Sequence, residues 1–341
     1  MKKIKLFLLL IIMVQIQMQA QNKDFMDIIE AAAKAPSGHN TQPWLFSTGE
    51  NNITIYPNMN DTLPVVDSSN RELFISLGAA TENLCIKASQ LGYKTEVKPD
   101  AVSQTIKILL VKENIDTDPL VEYIEKRQTN RKVYNNRIIS ADVIATLEKV
   151  ETSNNISRYI IEKQDTLFNV LRTYVEKGNQ AQMNDKDFKE ELLRFMRFNG
   201  KQVKNNPTGL SHKVIGSPGL PGFIAKPIVK TFLKPDKQNK SDLKKIDSSS
   251  HFVLFTTQNN TFEEWVNIGR DLERFVLTTT RLGLANAYMN QPCEVESLAS
   301  DMQNNISLIK GEYPTLLLRI GYADPAAYSV RKKMDDILIK E

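Results

Sequence analysis

The sequence predicts an α+β protein built from two related halves fused in one chain, a pseudo-dimer whose halves each have a central helix and an antiparallel-type sheet. Helical and strand patterns alternate along most of the 341 residues. Residues 77–93 also match residues 268–284 at a constant offset of 191, with four identical positions and Glu82 aligned with Glu273. A chance match is the alternative, because the identity is low. With 41% hydrophobic and 25% charged residues, the chain can bury a sizeable core.

The first twenty residues have the order of a secretory signal peptide. Three lysines lie within the first five residues, residues 6–16 are apolar except for Gln15, and a short polar stretch ends at Ala20. The apolar run is too short for the roughly 20 residues of a spanning helix. We therefore predict Sec-type export to the periplasm with cleavage after Ala20. An uncleaved anchor is the alternative.

The net charge of +4 would favour an anionic partner, but the predicted cleavage removes three lysines and no acid. The remaining chain has 41 basic and 40 acidic residues, so we expect no nucleic-acid partner. Two cysteines are too few for a metal cage or a disulfide framework. Cys85 lies in a helical pattern and is expected in the core, with a bridge to Cys293 as the alternative.

The elements of the first half follow from hydrophobic spacing and from Gly or Pro at their ends. We predict a helix over 24–35, strands over 44–47 and 53–56 around a turn at 49–52, a helix over 70–91 closed by Gly92, and a strand over 105–111.

The second half is predicted in the same way. We expect helices over 119–127 and 141–150, the latter with Ser140 as N-cap, a strand over 157–161, a broken helix over 165–198, a strand over 252–256, a helix over 262–282 closed by Gly283, a strand over 315–320 and a polar tail from 328.

One stretch interrupts this regularity. Residues 207–227 hold eight of the 28 glycines and prolines, which argues against regular structure, and residues 236–250 are polar and rich in lysine. A long irregular stretch inside a domain is typical of a lid. We therefore divide the chain into a signal peptide (1–20), a first half (21–115) and a second half (116–341) with a lid-like insertion at about 200–250.

The loop after the first helix offers polar groups in a rigid setting. Residues 35–44 read Ala-Pro-Ser-Gly-His-Asn-Thr-Gln-Pro-Trp, with a hydroxyl, two side-chain amides and backbone N–H groups. Such donors and acceptors suit the polar edge of a heteroaromatic ring. A helix-ending turn without a ligand is the alternative.

Two basic segments suit a phosphate. Arg127, Thr129 and Arg131 alternate along the chain and place two guanidinium groups and a hydroxyl close together, while residues 331–333 are Arg-Lys-Lys. Guanidinium groups bind phosphate monoesters with paired hydrogen bonds. A solvated basic helix end and a surface charge run are the alternatives.

Together these segments resemble the nitroreductase family of FMN proteins. The Pro-Ser-x-x-Asn-x-Gln-Pro-Trp pattern, the Arg-x-Thr-x-Arg motif, the Leu-Gly-Leu helix end at 282–284 and the closing strand followed by a basic pair are all present. The Pro-Ser motif precedes the Arg-Thr-Arg motif, the reverse of ordinary nitroreductases. With Asn70-Arg71-Glu72-Leu73 and Asn290-Gln291-Pro292-x-Glu294, this order resembles the fused, single-chain Acg-like branch.

The resemblance implies one FMN site per chain, with no dimer needed and no metal. The cofactor-binding residues that it implies are Pro36, Ser37, Gly38, Asn40, Gln42, Arg127, Thr129, Arg131, Asn290, Gln291, Arg331 and Lys332. Arg127, Arg331 and Lys332 would hold the phosphate, and Ser37 and Asn40 the flavin edge. No catalytic side chain is obligatory, because the flavin carries the redox chemistry.

The implied function is hydride transfer through flavin to a small electrophile such as a nitroaromatic or a quinone. The alternative is an exported protein that binds or sequesters flavin under its lid without turnover. We expect a monomer with a small-molecule substrate or electron acceptor and no stable membrane insertion after cleavage.

Overall fold

The computed structural model describes residues 21–339 and contains two four-stranded antiparallel sheets with two long helices packed between them. The predicted signal peptide lies outside the described residues. Within them, no helix combines the length and apolar character needed to cross a membrane.

The first half has one antiparallel sheet with strand order β1-β2-β4-β3. Its elements are α1 (residues 21–32), β1 (Trp44–Thr48), β2 (Asn52–Pro57), α2 (Arg71–Gln90), β3 (Tyr93–Asp100) and β4 (Thr105–Lys112).

The second half repeats this topology. Its sheet has the order β5-β8-β10-β9, so two strands, a long helix and two more strands occupy corresponding places. The elements are α3 (Ala141–Glu148), β5 (Ile156–Glu162), β8 (His251–Thr257), α9 (Phe262–Arg281), β9 (Ala285–Tyr288), α10 (Gln291–Glu294), α11 (Glu296–Asn305) and β10 (Tyr313–Gly321). The expectation of two related α+β halves is therefore confirmed.

Helices α2 and α9 form the centre of the molecule and share the two cores. Val266 of α9 is buried in the core of the first half, and Ile75 of α2 is buried in that of the second. Phe74 stacks on Trp265 across this contact, with ring centroids 6.2 Å apart. The halves thus pack as one body, because each central helix contributes to the other half's core.

The main difference between the halves is an insertion between β5 and β8. It contains α4 (Thr166–Asn184), α5 (Lys186–Arg194), β6 (Met196–Arg197), α6 (Gly200–Asn205), β7 (Leu210–Ser211), α7 (Gly222–Phe232) and α8 (Pro235–Asp247). Residues 222–227 are helical, and so is most of 236–250. The expectation that these residues have no regular structure was therefore wrong. The apolar residues of α7 recur at helical spacing, and Pro227 lies on its exposed side.

Several further expectations need correction. Residues 119–127 form only a short 3-10 turn, Pro119–Tyr123. Ser140 precedes α3 without a side-chain cap bond. Strands β3 and β9 were not predicted. The prediction for Cys85 needs no such correction, because it packs against the first core and both Cys85 and Cys293 are free thiols.

The C-terminal segment returns to the first half. The backbone N–H of Phe46 donates to Ile337 O at 2.8 Å, and that of Ile339 donates to Phe46 O at 2.8 Å. Ile337 is fully buried in the first core. The tail expected to be merely polar is therefore an ordered strap that joins β1.

Candidate functional site

A cavity of about 620 Å³ lies between the two halves and the insertion. Its lining includes ten of the twelve predicted site residues: Pro36, Ser37, Gly38, Asn40, Arg127, Thr129, Arg131, Asn290, Gln291 and Arg331. Its volume lies within the range of small-molecule and cofactor sites. Segments about 300 residues apart in sequence thus meet at one place.

The loop at residues 37–42 has an unusual backbone. His39, Asn40 and Gln42 have φ angles of 46°, 57° and 53°, a region that costs side-chain-bearing residues roughly 1–2 kcal/mol each. Ser37 Oγ accepts a hydrogen bond from the Gln42 N–H at 3.0 Å, which leaves its hydroxyl hydrogen free to donate. The strained turn directs polar groups toward the cavity, as is common at binding sites.

His39 lies in this loop but is not available as an acid at neutral pH. Its ring stacks on Phe195 with centroids 6.1 Å apart. Burial, and then the charge of Arg131, lowers its pKa to about 4. The neutral ring contributes shape and polarity to the cavity wall.

The segment 127–131 lies between the cavity and the C-terminal segment. Gln128 donates to Ala326 O at 2.8 Å, and Asn130 donates to Asp324 O at 2.8 Å. Arg127, Thr129 and Arg131 line the cavity as expected from the sequence, and Gln128 lines it as well. The C-terminal segment therefore anchors the segment through Gln128 and Asn130.

Two arginines converge at one end of the cavity. Arg127 Nη2 and Arg331 Nη2 both donate to Lys34 O, at 2.9 and 2.7 Å. The nearby acid is the fully buried Glu273, whose Oε1 is 3.2 Å from Arg127 Nε. Burial, and then the charge of Arg127, lowers the pKa of Arg331 to about 9. A dianion here would relieve the repulsion between the two guanidinium groups.

The pKa of Glu273 is raised to about 7 by burial, although Arg127 opposes this. Its two oxygens have no hydrogen-bond donor among the described residues. This carboxyl group therefore lies close to the point of half-protonation at neutral pH and neutralises the arginine pair only in part.

Gln42 and Lys332 are placed outside the cavity lining. Lys332 Nζ donates to Gln42 O at 2.8 Å and to Asp61 Oδ2 at 2.6 Å. Gln42 Oε1 accepts from the Lys332 N–H at 2.7 Å, and its amide nitrogen donates to Pro207 O at 3.2 Å. The two residues fasten the C-terminal segment and the insertion behind Asn40.

Asn40 lines the cavity next to these contacts. Its amide nitrogen donates to Pro207 O, Gly209 O and Val330 O at 3.1–3.3 Å, and its Oδ1 accepts from Arg331 Nη1 at 2.6 Å. One side chain thus positions Arg331 and holds the insertion against the loop.

Asn290 and Gln291 form the opposite wall, at the start of α10. Asn290 Nδ2 donates to Glu72 Oε1 at 2.6 Å, and its Oδ1 accepts from the Leu317 N–H at 3.1 Å. Gln291 Nε2 donates to Asn179 Oδ1 at 3.1 Å and Asp242 Oδ2 at 3.2 Å. Gln291 Oε1 is buried and has no partner among the described residues. It is therefore an acceptor free for a ligand donor.

Two acids that had no assigned role lie beside this wall. Glu72 and Glu294 both line the cavity, and Gln182 Nε2 donates to Glu294 Oε2 at 2.5 Å. Burial, and then the charge of Glu294, raises the pKa of Glu72 well above its ordinary value. Burial also raises the pKa of Glu294. The pair therefore retains a proton where isolated carboxyl groups would be ionised.

Other lining residues come from the insertion and from β10. Asn179, Gln182, Asp242 and Lys245 extend the polar wall, and the fully buried Arg319 bonds to Asn130 O and Lys132 O. None of these was predicted, because a single sequence does not show which distant helices meet. Among residues 21–339, no group of three or more His, Cys, Asp or Glu could hold a metal ion.

Comparisons with known proteins find similarity to nitroreductases. Residues 10–96 match the family model described as putative TM nitroreductase. Two Mycobacterium tuberculosis proteins, from strains CDC 1551 / Oshkosh and ATCC 25618 / H37Rv, are each 23% identical over 340 residues. The alignments cover 94% of this chain and 94% of each relative, and both relatives are named putative NAD(P)H nitroreductases.

Solved structures with similarity include two flavoproteins. A nitroreductase of Bacteroides fragilis with bound FMN is 14% identical, with a TM-score of 0.39, over 66% of this chain and all of the other. The FMN-dependent nitroreductase NfnB of Mycobacterium smegmatis, in complex with NADPH, is 10% identical, with a TM-score of 0.38, over 60% of this chain and 86% of the other. The family-model match and the end-to-end similarity to the two mycobacterial relatives show that the chain is similar to nitroreductases.

Proposed function

We propose that the chain binds FMN in this cavity and transfers hydride through it to a small electrophile such as a nitroaromatic or a quinone. The observation that carries the proposal is the arginine pair at one end of a cavity whose other walls offer amide groups. The paired guanidinium groups suit a phosphate monoester, and the amide groups suit the polar edge of an isoalloxazine ring. Bound flavin would supply two-electron redox chemistry.

The donor set fits this cofactor. Arg127 and Arg331 would face the phosphate, with one partly neutralising carboxyl group beside Arg127. Arg131 lines the cavity and has no carboxylate within 4.0 Å among the described residues. In these roles Ser37, Asn40 and the backbone near Asn290 would hold the ring edge, while Gln42 and Lys332 would support them from behind.

The chain also offers a proton beside the ring site. Reduction of a quinone to a hydroquinone takes one hydride and one further proton. The Glu72–Glu294 pair holds a proton in the cavity wall, and Asn290 orients Glu72 through a 2.6 Å hydrogen bond. Glu72 therefore donates this proton to the acceptor and recovers one from solvent.

We further propose one FMN per chain in a monomer of the Acg-like branch, exported to the periplasm after cleavage at Ala20. The related position in the other half supports a single site, because Glu82 there binds Arg270 and Arg274 at 3.0 and 2.5 Å. Arg274 also binds Asp118 at 2.8 Å. Those cations are already paired, whereas the cations at the cavity are not fully neutralised.

The test is anaerobic reduction and reoxidation. Purified protein with bound FMN is reduced with dithionite, NADH, NADPH or a quinol, then mixed with nitrofurazone or menadione while the flavin absorbance is followed. We expect reoxidation by at least one acceptor. Glu72→Gln should slow reoxidation by menadione at neutral pH and leave reduction by the donor unchanged, with exposed Glu122→Gln as control.

The outcomes separate the alternatives. FMN binding without reoxidation by any acceptor would contradict the redox function and favour a flavin-sequestering protein. A chain that binds no added FMN would overturn both functions. If Glu72→Gln keeps the pH profile of reoxidation intact, the proton comes from elsewhere.

A further inference from the structure

The positive charge of the chain is concentrated in part of the insertion. Residues 192–235 contain two arginines, six lysines and no Asp or Glu. The chain as a whole has 44 basic and 40 acidic residues, so the remaining 297 have 36 and 40. We call residues 192–235 the basic segment. It carries a net charge of +8, while the rest of the chain is acidic.

Helix α7, within this segment, exposes an apolar ridge. Its members are Phe223, Ile224, Ile228 and Phe232, with 81%, 42%, 45% and 56% of their surface exposed. The opposite face of α7, at Ala225 and Val229, packs on Leu193 and Phe198 together with Leu233, which follows the helix. The helix is thus already held by one apolar face and presents a second one to solvent.

Lysines border the ridge. Lys226 and Lys230 lie on α7 itself, Lys234 follows it, and Lys237 Nζ is 4.4 Å from the centre of the Phe232 ring. Among the described residues, none of these four lysines forms an ion pair. Their charge is therefore available to an external partner.

The combination of an exposed apolar ridge and bordering lysines favours one kind of partner. A second copy of this chain, docked by two-fold symmetry through the ridge, would place lysines against lysines. A nucleic acid would use the lysines but leave the aliphatic ridge in water. The surface of a bilayer with anionic lipids satisfies both features, because apolar side chains enter the headgroup boundary while lysines contact lipid phosphates.

We propose that α7 docks the protein on a membrane surface that carries anionic lipids, with Phe223 and Phe232 inserted and the bordering lysines on the headgroups. This goes beyond the proposed redox function and does not depend on it. The basic segment also carries Leu192 and Leu210, which line the cavity. Docking would therefore hold the cavity next to the bilayer, where apolar electron carriers dissolve.

The experiment measures the environment of α7 directly. Phe223→Cys is labelled with an environment-sensitive fluorophore and mixed with phosphatidylcholine vesicles with or without phosphatidylglycerol. Burial raises the pKa of Cys85 to about 11 and of Cys293 to about 12, so neither native thiol competes for label at neutral pH. Val102→Cys is the control, because Val102 lies in a turn of the first sheet and is 96% exposed.

We expect a blue shift at position 223 only with phosphatidylglycerol, and none at position 102. In unlabelled protein, Lys226→Gln with Lys230→Gln should weaken vesicle binding about fivefold per lysine, and Phe223→Ser about tenfold, with Lys107→Gln and Val102→Ser as controls. No shift at 223, an equal shift at 102, or a Phe223-dependent dimer in light scattering would overturn the proposal. Binding to DNA that is insensitive to Phe223→Ser, without vesicle binding, would do so as well.

Discussion

Gly78 of α2 and Gly269 of α9 meet where the two central helices cross, and they are 191 residues apart. A Cβ added to Gly78 would lie 2.1 Å from Val266 O, and one added to Gly269 would lie 2.1 Å from Ile75 O. The crossing is therefore tight enough to exclude any side chain at both positions. The offset is the one that relates the two segments in the sequence, so the pseudo-symmetry axis passes between these glycines.

We expect Gly78→Ala and Gly269→Ala each to lower the free energy of unfolding by about 1–3 kcal/mol, since the backbones must separate to admit a methyl group. Urea denaturation measures the loss. Gly200→Ala is the matched control, because its Cβ would meet nothing within 4 Å. Unchanged stability in both variants would show that the crossing is looser than described.

Replacing Arg127 should weaken binding of the FMN phosphate and leave binding of the flavin ring nearly unchanged. Arg127→Ala is expected to weaken FMN binding by about 1.5–3 kcal/mol, the cost of losing a hydrogen bond to a charged group, and to change riboflavin binding much less. Quenching of flavin fluorescence measures both. Exposed Arg281→Ala is the control. Equal losses for FMN and riboflavin would mean that the phosphate binds elsewhere.

Lys332 and its neighbour Arg331 should behave differently. Lys332→Met breaks the 2.6 Å contact with Asp61, so we expect about 1–3 kcal/mol lower stability and an unchanged preference for FMN over riboflavin. Arg331→Met, which removes a cavity cation, should reduce that preference. If Lys332→Met reduces it equally, Lys332 reaches the phosphate despite its contact with Asp61.

The raised pKa of Glu273 predicts a pH dependence of stability. Folding raises this pKa from 4.5 to about 7, so the folded state holds more protons between these values. Stability therefore falls as the pH rises through this window, by roughly 3 kcal/mol from this group. Glu273→Gln should flatten that part of the profile in urea titrations from pH 4 to pH 8, and exposed Glu122→Gln should not. A profile unchanged by Glu273→Gln contradicts the assignment.

The sequence was sufficient for the regular framework, because helices α2 and α9 and strands β2, β4, β8 and β10 have clear apolar spacing. Strand β3 was missed because one face is in solvent and residues 93–100 include four charged side chains and Pro99. Helix α7 was missed because its apolar residues face both the core and solvent, and glycines and prolines lie among and before them.

The candidate site was predictable where its residues are consecutive. The Pro-Ser loop and the Arg-Thr-Arg segment line the cavity, whereas Glu72, Gln182 and Arg319 reach it from elements more than a hundred residues apart. The supporting position of Lys332 was equally hidden, because it depends on Asp61 across 271 residues. Such contacts follow from tertiary packing and not from local pattern.

Both walls of the cavity belong to one polypeptide, and this changes how the site responds to dilution and to mutation. A binding site shared by two chains is lost when the chains separate at low concentration, whereas here the second wall is always present at the high effective concentration that a covalent connection gives. A substitution in a two-chain protein also appears in both copies of the site at once. In this chain each wall can change alone, so one half can acquire an insertion while the other keeps the original sheet.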